Sequence, residues 1–170
     1  MNPVIELTSF HSPCGELLLG SFGENLCLCD WTSARHHDAA LARLRKALRA
    51  EISFSASECT QKAVSQLEEY FSGLRTRFDM RLLMVGTPLQ KAVWESIRGI
   101  SYGHTASYKE IAAAIQRPTA VRAVANATGA NALSIFVPCH RITGSDGSLT
   151  GYAGGLDAKR HLLELEQQAF

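Results

Sequence analysis

The chain has 170 residues, 46% of them hydrophobic, so it is long and apolar enough for one domain or two small ones with a buried core. Its formal net charge of +1 argues against a strongly basic nucleic-acid binder and against an acidic tail. The charge is uneven, because residues 1–86 hold nine Lys/Arg against ten Asp/Glu, whereas residues 88–141 hold six against two. The second stretch therefore suits a modest phosphate-contacting surface.

The first half of the chain is predicted to form a small α/β scaffold domain, residues 1–85. Alternating or apolar runs predict strands over residues 4–10, 16–20, 26–29 and 76–83. Leucines at helical spacing predict a first helix over residues 39–50, and an apolar stripe predicts a second over residues 60–71. We find no catalytic signature in this half.

The second half, residues 86–170, is predicted to be mostly helical, so the fold class is α+β. Thr87-Pro88 has the residue types of a helix start, an oxygen-bearing cap followed by proline. Ser107 caps a second predicted helix. Arg117-Pro118 ends that helix, and Thr119 is predicted to cap a third helix that runs to about Thr128. The last two helices form a helix-turn-helix outline.

The third predicted helix carries mostly small side chains, and Arg122 is its one long cationic group. Small side chains let a helix backbone approach a partner closely, and a duplex is one such partner. An alanine-rich helix packed on a neighbouring helix explains the same pattern. The outline alone therefore leaves DNA contact open.

Five cysteines occur at positions 14, 27, 29, 59 and 139, an odd number without the paired spacing of a zinc site. We therefore expect no metal, and we expect the thiols to lie in a reducing cytoplasm. The sequence begins Met-Asn-Pro-Val and passes directly into a strand pattern interrupted by polar residues. We expect neither a signal peptide nor a membrane span.

The most informative stretch is Pro138-Cys139-His140-Arg141, which places a thiol, an imidazole and a guanidinium in consecutive positions. The preceding apolar run, residues 133–137, predicts a short buried strand that ends at the proline. A thiol is only a few per cent ionised at neutral pH, and we expect the two basic neighbours to favour the nucleophilic thiolate. The alternative is a buried structural cysteine.

Seven motifs in the last half of the chain point together to one family. They are Thr87-Pro88-Leu89-Gln90-x-x-Val93-Trp94, Thr105-x-Ser107-Tyr108, Arg122-Ala123-Val124, Asn131, Pro138-Cys139-His140-Arg141, Gly151-Tyr152-x-Gly154-Gly155 and Lys159-x-x-Leu162-Leu163-x-x-Glu166. In their order and spacing the chain strongly resembles the O6-alkylguanine-DNA alkyltransferases, or methylated-DNA–protein-cysteine methyltransferases. The first half resembles that family's amino-terminal α/β domain only loosely.

The resemblance implies direct-reversal DNA repair without a cofactor. Cys139 would take the alkyl group of O6-alkylguanine irreversibly, once per molecule, after the nucleotide is flipped out of double-stranded DNA from the minor groove. His140 and Glu166 would form a relay with the thiol through a water. Tyr108 would assist extrusion and donate a proton to the departing guanine. Asn131 would be the hinge between the helix-turn-helix and the active-site strand.

The resemblance also implies which residues bind the substrate. DNA contacts would come from the second helix of the helix-turn-helix and from Tyr108, and Arg122 would fill the gap left by the flipped base. The DNA-binding positions are Tyr108, Thr119, Arg122, Ala123 and Ala125. The guanine pocket would be formed by the backbone carbonyls of Cys139 and Ile142 and by Tyr152, Ala153, Gly154 and Lys159.

The chain departs from the family pattern at several positions. Ala132 stands where proline usually follows the hinge asparagine, and Ala125 replaces a common glycine. These departures bear on DNA affinity and lesion range rather than on the chemistry. The four-cysteine zinc module of the related adaptive-response regulators is missing from this sequence.

Two other function classes and several details stay open at this level. A lesion-binding damage sensor would keep Cys139 inert, and a cysteine hydrolase would turn over repeatedly. The partner of His140 could be Glu164 or Glu166, with Glu166 favoured. The range of alkyl groups and activity on O4-alkylthymine are also open, and we expect a monomer.

Overall fold

The computed structural model describes residues 2–34 and 37–168, and the chain divides into two compact units, residues 1–85 and 86–170. Among the described residues, the first unit holds a four-stranded sheet and two helices, and the second holds four α-helices and a two-stranded sheet. The predicted α+β class, with a small sheet domain before a mostly helical one, is confirmed.

The sheet of the first unit contains the first three predicted strands. β1 (Val4–Ser12), β2 (Gly15–Phe22) and β3 (Asn25–Trp31) are antiparallel neighbours, and β4 (Glu51–Ser53) pairs in parallel with β1. The strand order is β3-β2-β1-β4. Gly23 adopts a φ of 62° between β2 and β3, a left-handed conformation that glycine takes without steric cost. Sequence reasoning missed β4, because three residues carry too little periodicity.

Two helices complete the first unit, α1 (His37–Leu48) and α2 (Glu58–Phe71). Both begin two residues before their predicted starts. α2 begins before the predicted residue because Ser57 and Thr60 form a capping box. The Ser57 hydroxyl accepts from the Thr60 amide at 3.0 Å, and the Thr60 hydroxyl accepts from the Ser57 amide at 2.9 Å.

Residues 76–83 do not form the predicted strand. They meet β3 at an isolated bridge between Leu26 and Leu82. The side chain of Gln66 instead bonds the backbone of Asp79, donating to its carbonyl at 3.1 Å and accepting from its amide at 2.9 Å. A side chain thus satisfies backbone groups that a strand would have used in a ladder.

The second unit opens with α3 (Pro88–Arg98), which Thr87 caps as predicted. The Thr87 hydroxyl accepts from the Gln90 amide at 3.1 Å, and the Gln90 side chain accepts from the Thr87 amide at 2.9 Å. Trp94, buried on this helix, donates its indole N–H to the Ala127 carbonyl at 2.8 Å. That bond ties α3 to the helix that carries Ala127.

The predicted helix-turn-helix consists of α4 (Tyr108–Ala114) and α5 (Val121–Gly129). Ser107 caps α4 as predicted, since its hydroxyl accepts from the Glu110 amide at 3.1 Å. The turn between the helices includes Gln116 at a φ of 61°. α5 packs on both α3 and α4, so its position is set from two sides.

Thr119 does not cap α5, contrary to the prediction. The Ala120 amide bonds the Arg117 carbonyl at 2.9 Å, which closes the turn one residue later and makes Ala120 the N-cap position. Ala120 has no side-chain oxygen with which to cap the helix. The first amides of α5 are therefore not satisfied by a side chain of the cap residue.

Four further elements of the second unit meet around Cys139. β5 (Ala106–Ser107) and β6 (Ile142–Thr143) pair in parallel, which brings the chain after Cys139 beside the start of α4. One turn of 3-10 helix (Cys139–Arg141) precedes β6, and α6 (Leu156–Gln167) packs against that turn.

Candidate active site

Residues 131–138 form a turn and not the predicted buried strand. The Asn131 side chain accepts from the Leu133 amide at 2.9 Å and donates to the Val137 carbonyl at 3.0 Å. The Val137 amide bonds the Leu133 carbonyl at 2.8 Å. Ile135 adopts a φ of 73°, which a β-branched residue rarely takes. One asparagine side chain therefore supplies hydrogen bonds that a neighbouring strand would have made.

Cys139 follows this turn with its position fixed by the same asparagine. The residue is 6% exposed and begins the 3-10 turn. Asn131 Nδ2 donates to Cys139 Sγ at 3.2 Å. Because a hydrogen bond to a charged acceptor is stronger than one to a neutral acceptor, this contact favours the thiolate. Asn131 thus links the turn to the sulfur itself.

His140 and Glu166 form a buried pair. His140 Nε2 lies 2.6 Å from Glu166 Oε2, and the two side chains are 0% and 1% exposed. Glu164 on the same helix is exposed, so the structure places Glu166 and not Glu164 against His140. Burial lowers the pKa of His140 and outweighs the opposing effect of the Glu166 hydrogen bond. The imidazole is therefore neutral.

The tautomer of His140 follows from that pair. With Nε2 donating to the carboxylate, Nδ1 carries the lone pair of the neutral ring. Nδ1 is buried, and it makes no hydrogen bond with any residue in the two described ranges, 2–34 and 37–168. The ring thus offers one proton acceptor on the side away from Glu166.

The Arg141 side chain pairs with a buried carboxylate, a contact that the sequence did not indicate. We expected its charge to favour the thiolate, but the guanidinium binds Glu166, with Nε 2.8 Å from Oε1 and Nη2 3.1 Å from Oε2. Nη1 donates to the Ile100 carbonyl at 2.7 Å, and the group lies 5.7 Å from the centre of the Tyr102 ring. Because His140 and Arg141 lie on one 3-10 turn, both contact the same carboxylate, and the effect of the Arg141 charge on the thiolate stays a prediction.

The charge state of Glu166 follows from these contacts. Burial alone would raise the pKa of the carboxyl group, but the hydrogen bond from His140 and the hydrogen bonds and positive charge of Arg141 hold it well below its usual range. The Gly103 amide donates to the same carboxylate at 3.3 Å. Since Arg141 already balances the negative charge, His140 can stay neutral beside it.

Lys159 is a buried lysine that interacts electrostatically with the Cys139 thiol. Its side chain is 0% exposed, and Nζ donates to the Ile142 carbonyl at 2.6 Å and to the Thr150 carbonyl at 3.2 Å. Burial lowers the pKa of Lys159, and the negative charge of an ionised Cys139 opposes that shift. The sequence motif placed Lys159 near the pocket loop without indicating that it would anchor the loop backbone.

The remaining pocket residues lie around this anchor. The Tyr108 hydroxyl lies 2.9 Å from Thr150 Oγ1, a contact that sequence reasoning did not anticipate. The Tyr152 ring meets His140 edge-on, with centroids 6.4 Å apart and planes at 81°. Ala153 and Gly154 are half-buried. The Ile142 carbonyl, which the resemblance assigns to the guanine amine, has a second lone pair free of the Lys159 bond.

The residues with an expected DNA role lie on or next to α5. Arg122 and Thr119 are exposed, whereas Ala123 and Ala125 are half-buried. Val124 is fully buried on the opposite side of the helix. α5 therefore offers solvent a surface with small side chains and one long cation, which is the arrangement that the sequence pattern indicated.

The described part of the chain has neither a cluster of metal-ligating side chains nor a helix that could span a membrane. In residues 2–34 and 37–168, no group of three or more His, Cys, Asp or Glu side chains is arranged to hold a metal ion. Over the same residues, no helix has both the length and the apolar character needed to cross a bilayer.

Comparison with known proteins gives one consistent family. Residues 88–168 match the family model described as "6-O-methylguanine DNA methyltransferase, DNA binding domain". A methylated-DNA–protein-cysteine methyltransferase of Methanosarcina acetivorans is 40% identical over 157 residues, covering 92% of this chain and 95% of the relative. One from Methanosarcina barkeri is 52% identical over 107 residues, 63% of this chain and 68% of the relative.

Solved structures agree over nearly the whole length. The Mycobacterium tuberculosis OGT in complex with DNA superposes with a TM-score of 0.82 and is 38% identical. The superposition covers 98% of this chain and 94% of that one. The similarity therefore extends through the first unit as well as the second, although the family model begins only at residue 88.

Proposed function

Because the chain belongs to the family of methylated-DNA–protein-cysteine methyltransferases, we propose that it repairs O6-alkylguanine in double-stranded DNA by moving the alkyl group irreversibly onto Cys139. One observation supports this choice of residue above the others. Cys139 Sγ accepts a hydrogen bond from Asn131 and is followed directly by a neutral, buried His140 that Glu166 orients. This is the arrangement of a cysteine nucleophile with a base and an acid behind it.

The thiol proton leaves first. His140 takes it through a water onto Nδ1, while Nε2 stays bonded to the Glu166 carboxylate, which stabilises the imidazolium that forms. Asn131 donates to the sulfur as it becomes a thiolate. Lys159 contributes a buried positive charge that interacts favourably with the same thiolate. These contacts make the thiolate available without a metal ion or cofactor.

Alkyl transfer then proceeds by displacement. The sulfur attacks the sp3 carbon on O6, a carbon–sulfur bond forms, the carbon–oxygen bond breaks, and the electron pair goes to the guanine. Tyr108 gives its phenolic proton to the departing base. The thioether has no leaving group of low enough energy to regenerate the thiol, so each molecule acts once.

DNA is bound through the helix-turn-helix. α5 enters the minor groove, where the small side chains of Ala123 and Ala125 allow a close approach, and Thr119 and Arg122 are exposed next to the duplex. Arg122 fills the space of the flipped nucleotide. Few cationic residues face the phosphates, so salt weakens binding only moderately. Tyr108 lies at the start of α4, where it contacts the DNA backbone next to the lesion.

The base pocket is bounded by the loop after β6. Tyr152 and the backbone at Ala153 and Gly154 wall one side, and the carbonyls of Cys139 and Ile142 accept from the guanine amine. Lys159 stiffens this loop through its two carbonyl contacts. The protein acts as a monomer, because every residue with a role in this reaction belongs to one chain, and a reducing cytoplasm keeps the Cys139 thiol available.

The alternative of a lesion-binding sensor predicts binding without reaction. The test is an intact-protein mass spectrum after incubation with a duplex that contains one O6-methylguanine, followed by peptide mapping. We expect a single added methyl group on Cys139 that saturates at one per protein. Bound DNA without an adduct would support the sensor, and several demethylated lesions per protein would support a hydrolytic enzyme.

Two variants complete this test. Cys139→Ala is expected to bind the damaged duplex with unchanged affinity and to carry no methyl group. Cys14→Ala, which removes a half-buried thiol of the first unit, is the matched control and should still gain one methyl group. Methylation of the Cys139→Ala protein would contradict the assignment of the nucleophile.

A further inference from the structure

We infer that Thr150 is a positioning residue for the Tyr108 phenol and stabilises it while it gives up its proton. This inference rests on the proposed function, because it deepens the role of Tyr108 in that reaction. Thr150 lies in the loop after β6, outside the motifs that carry the family resemblance. What distinguishes it is the contact between its Oγ1 and the Tyr108 hydroxyl, at 2.9 Å.

The contact joins two segments that are 42 residues apart in the chain. Tyr108 is the first residue of α4, directly after β5, and Thr150 follows β6 by a loop. β5 and β6 pair with Ser107 opposite Thr143, so the backbone that carries the phenol and the backbone that leads to the threonine share one sheet. The hydrogen bond therefore connects two backbones that are already held together.

Thr150 is also fixed by its own backbone. Its carbonyl accepts from Lys159 Nζ at 3.2 Å, and the same ammonium group donates to the Ile142 carbonyl at 2.6 Å. Lys159 is 0% exposed and emerges from α6, so it is a rigid anchor. The threonine hydroxyl is thus presented to Tyr108 from a fixed position, and little conformational entropy is lost in forming the contact.

A threonine hydroxyl suits this position because it both accepts and donates. Before transfer it can accept from the phenol. As the carbon–oxygen bond of the lesion breaks, the phenolic proton passes to the guanine and the tyrosine oxygen becomes negative. The Thr150 hydroxyl then rotates and donates to that oxygen, a charge-assisted hydrogen bond roughly twice as strong as a neutral one. No proton leaves the threonine.

The proton count closes over the reaction. The thiol proton resides on His140, and the proton of Tyr108 resides on the released guanine. Solvent exchange returns the His140 proton to the phenolate, so the net change is thiol plus alkylguanine to thioether plus guanine. Thr150 contributes only while the phenolate exists, and its effect must therefore depend on Tyr108.

Single-turnover methyl transfer from an O6-methylguanine duplex, at saturating protein, tests this dependence. Thr150→Val removes the hydroxyl at nearly constant volume and is expected to slow transfer about tenfold, the effect of losing one hydrogen bond to a developing charge. Thr150→Ser keeps the hydroxyl and should stay within about twofold of the unmodified protein. If Thr150→Val does not fold, Thr150→Ala replaces it with the same expectation.

The Tyr108→Phe background separates positioning from general structural damage. There Thr150→Val should cause no further loss, because no phenolate is left to stabilise. A full tenfold loss in that background, or a Thr150→Ser protein as slow as Thr150→Val, would overturn the inference. The same holds if Thr150→Val reacts at the unmodified rate. Failure of the unmodified protein to methylate Cys139 would instead refute the proposed function.

Discussion

Replacing Glu166 with glutamine is expected to lower the free energy of unfolding of the second unit by about 3–5 kcal/mol, the usual cost of breaking a buried ion pair. The carboxylate is 1% exposed and accepts from His140, from two Arg141 nitrogens and from the Gly103 amide. Glutamine keeps the volume, but it has one acceptor oxygen and an NH2 group. At least one donor would then face a donor, and the buried guanidinium would lose its counter-charge.

Urea denaturation at pH 7 measures this change. Trp94 is buried in the second unit, so its fluorescence in a Trp31→Phe background, shared by all variants, follows the unit that contains Glu166. With a urea slope of about 1–3 kcal/mol per molar for a small domain, the midpoint should fall by more than about 1 M. Glu164→Gln makes the same charge change at an exposed position of α6 and should stay within about 0.5 kcal/mol.

The comparison of these two variants can refute the electrostatic argument. Equal midpoints would mean that the Glu166 carboxylate does not balance a buried charge. The reasoning that Arg141 allows His140 to remain neutral would then fail as well. A large loss in Glu166→Gln, with Glu164→Gln unchanged, would support both steps.

Two further predictions concern DNA and pH. Arg122→Ala should slow methyl transfer from a duplex at least about tenfold, because flipping costs a few kcal/mol, yet leave reaction with free O6-methylguanine base within about twofold. The exposed Arg117→Ala is its control, and equal losses on both substrates would contradict the role. The pKa of His140 is lower in the folded protein than in the unfolded chain. Below about pH 6.5 the unfolded chain therefore binds a proton at His140 that the folded protein does not bind, so the free energy of unfolding should fall as the pH drops. Glu166, whose folded-state pKa is also lowered, adds a further loss below about pH 4.3. Urea midpoints that stay constant as the pH falls from 7 to 5 would exclude the His140 effect, and a further constant stretch from pH 5 to pH 2.5 would exclude the Glu166 effect.

Local signals in the sequence were reliable where the interaction itself is local. The caps of α3 and α4 were predicted because Thr87 and Ser107 bond amides only three residues away. The three hairpin-connected strands were predicted for the same reason. The prediction that Thr119 caps α5 was wrong, because a turn closed by the Ala120 amide and the Arg117 carbonyl moves the start of the helix by one residue.

Two predicted strands were wrong because side chains took over the role of backbone partners. Gln66 bonds both backbone groups of Asp79, and Asn131 bonds the backbone at Leu133 and Val137. Apolar alternation reports which side of a segment is buried, and it carries no information about what satisfies the backbone. Neither replacement is visible in the hydrophobic pattern.

The family could be identified from the sequence, and Cys139 could be proposed as its nucleophile, because Pro138-Cys139-His140-Arg141 is a contiguous motif and the other motifs keep fixed spacing from it. The side-chain contacts among the residues around Cys139 could not be identified from the sequence. The packing of α6 against the 3-10 turn selected Glu166 over Glu164 and paired Arg141 with that carboxylate, and the pairing of β5 with β6 brought Thr150 to Tyr108. Residue types and spacing define which chemistry is available, whereas contacts between distant segments depend on the distances and burial that arise when the helices pack.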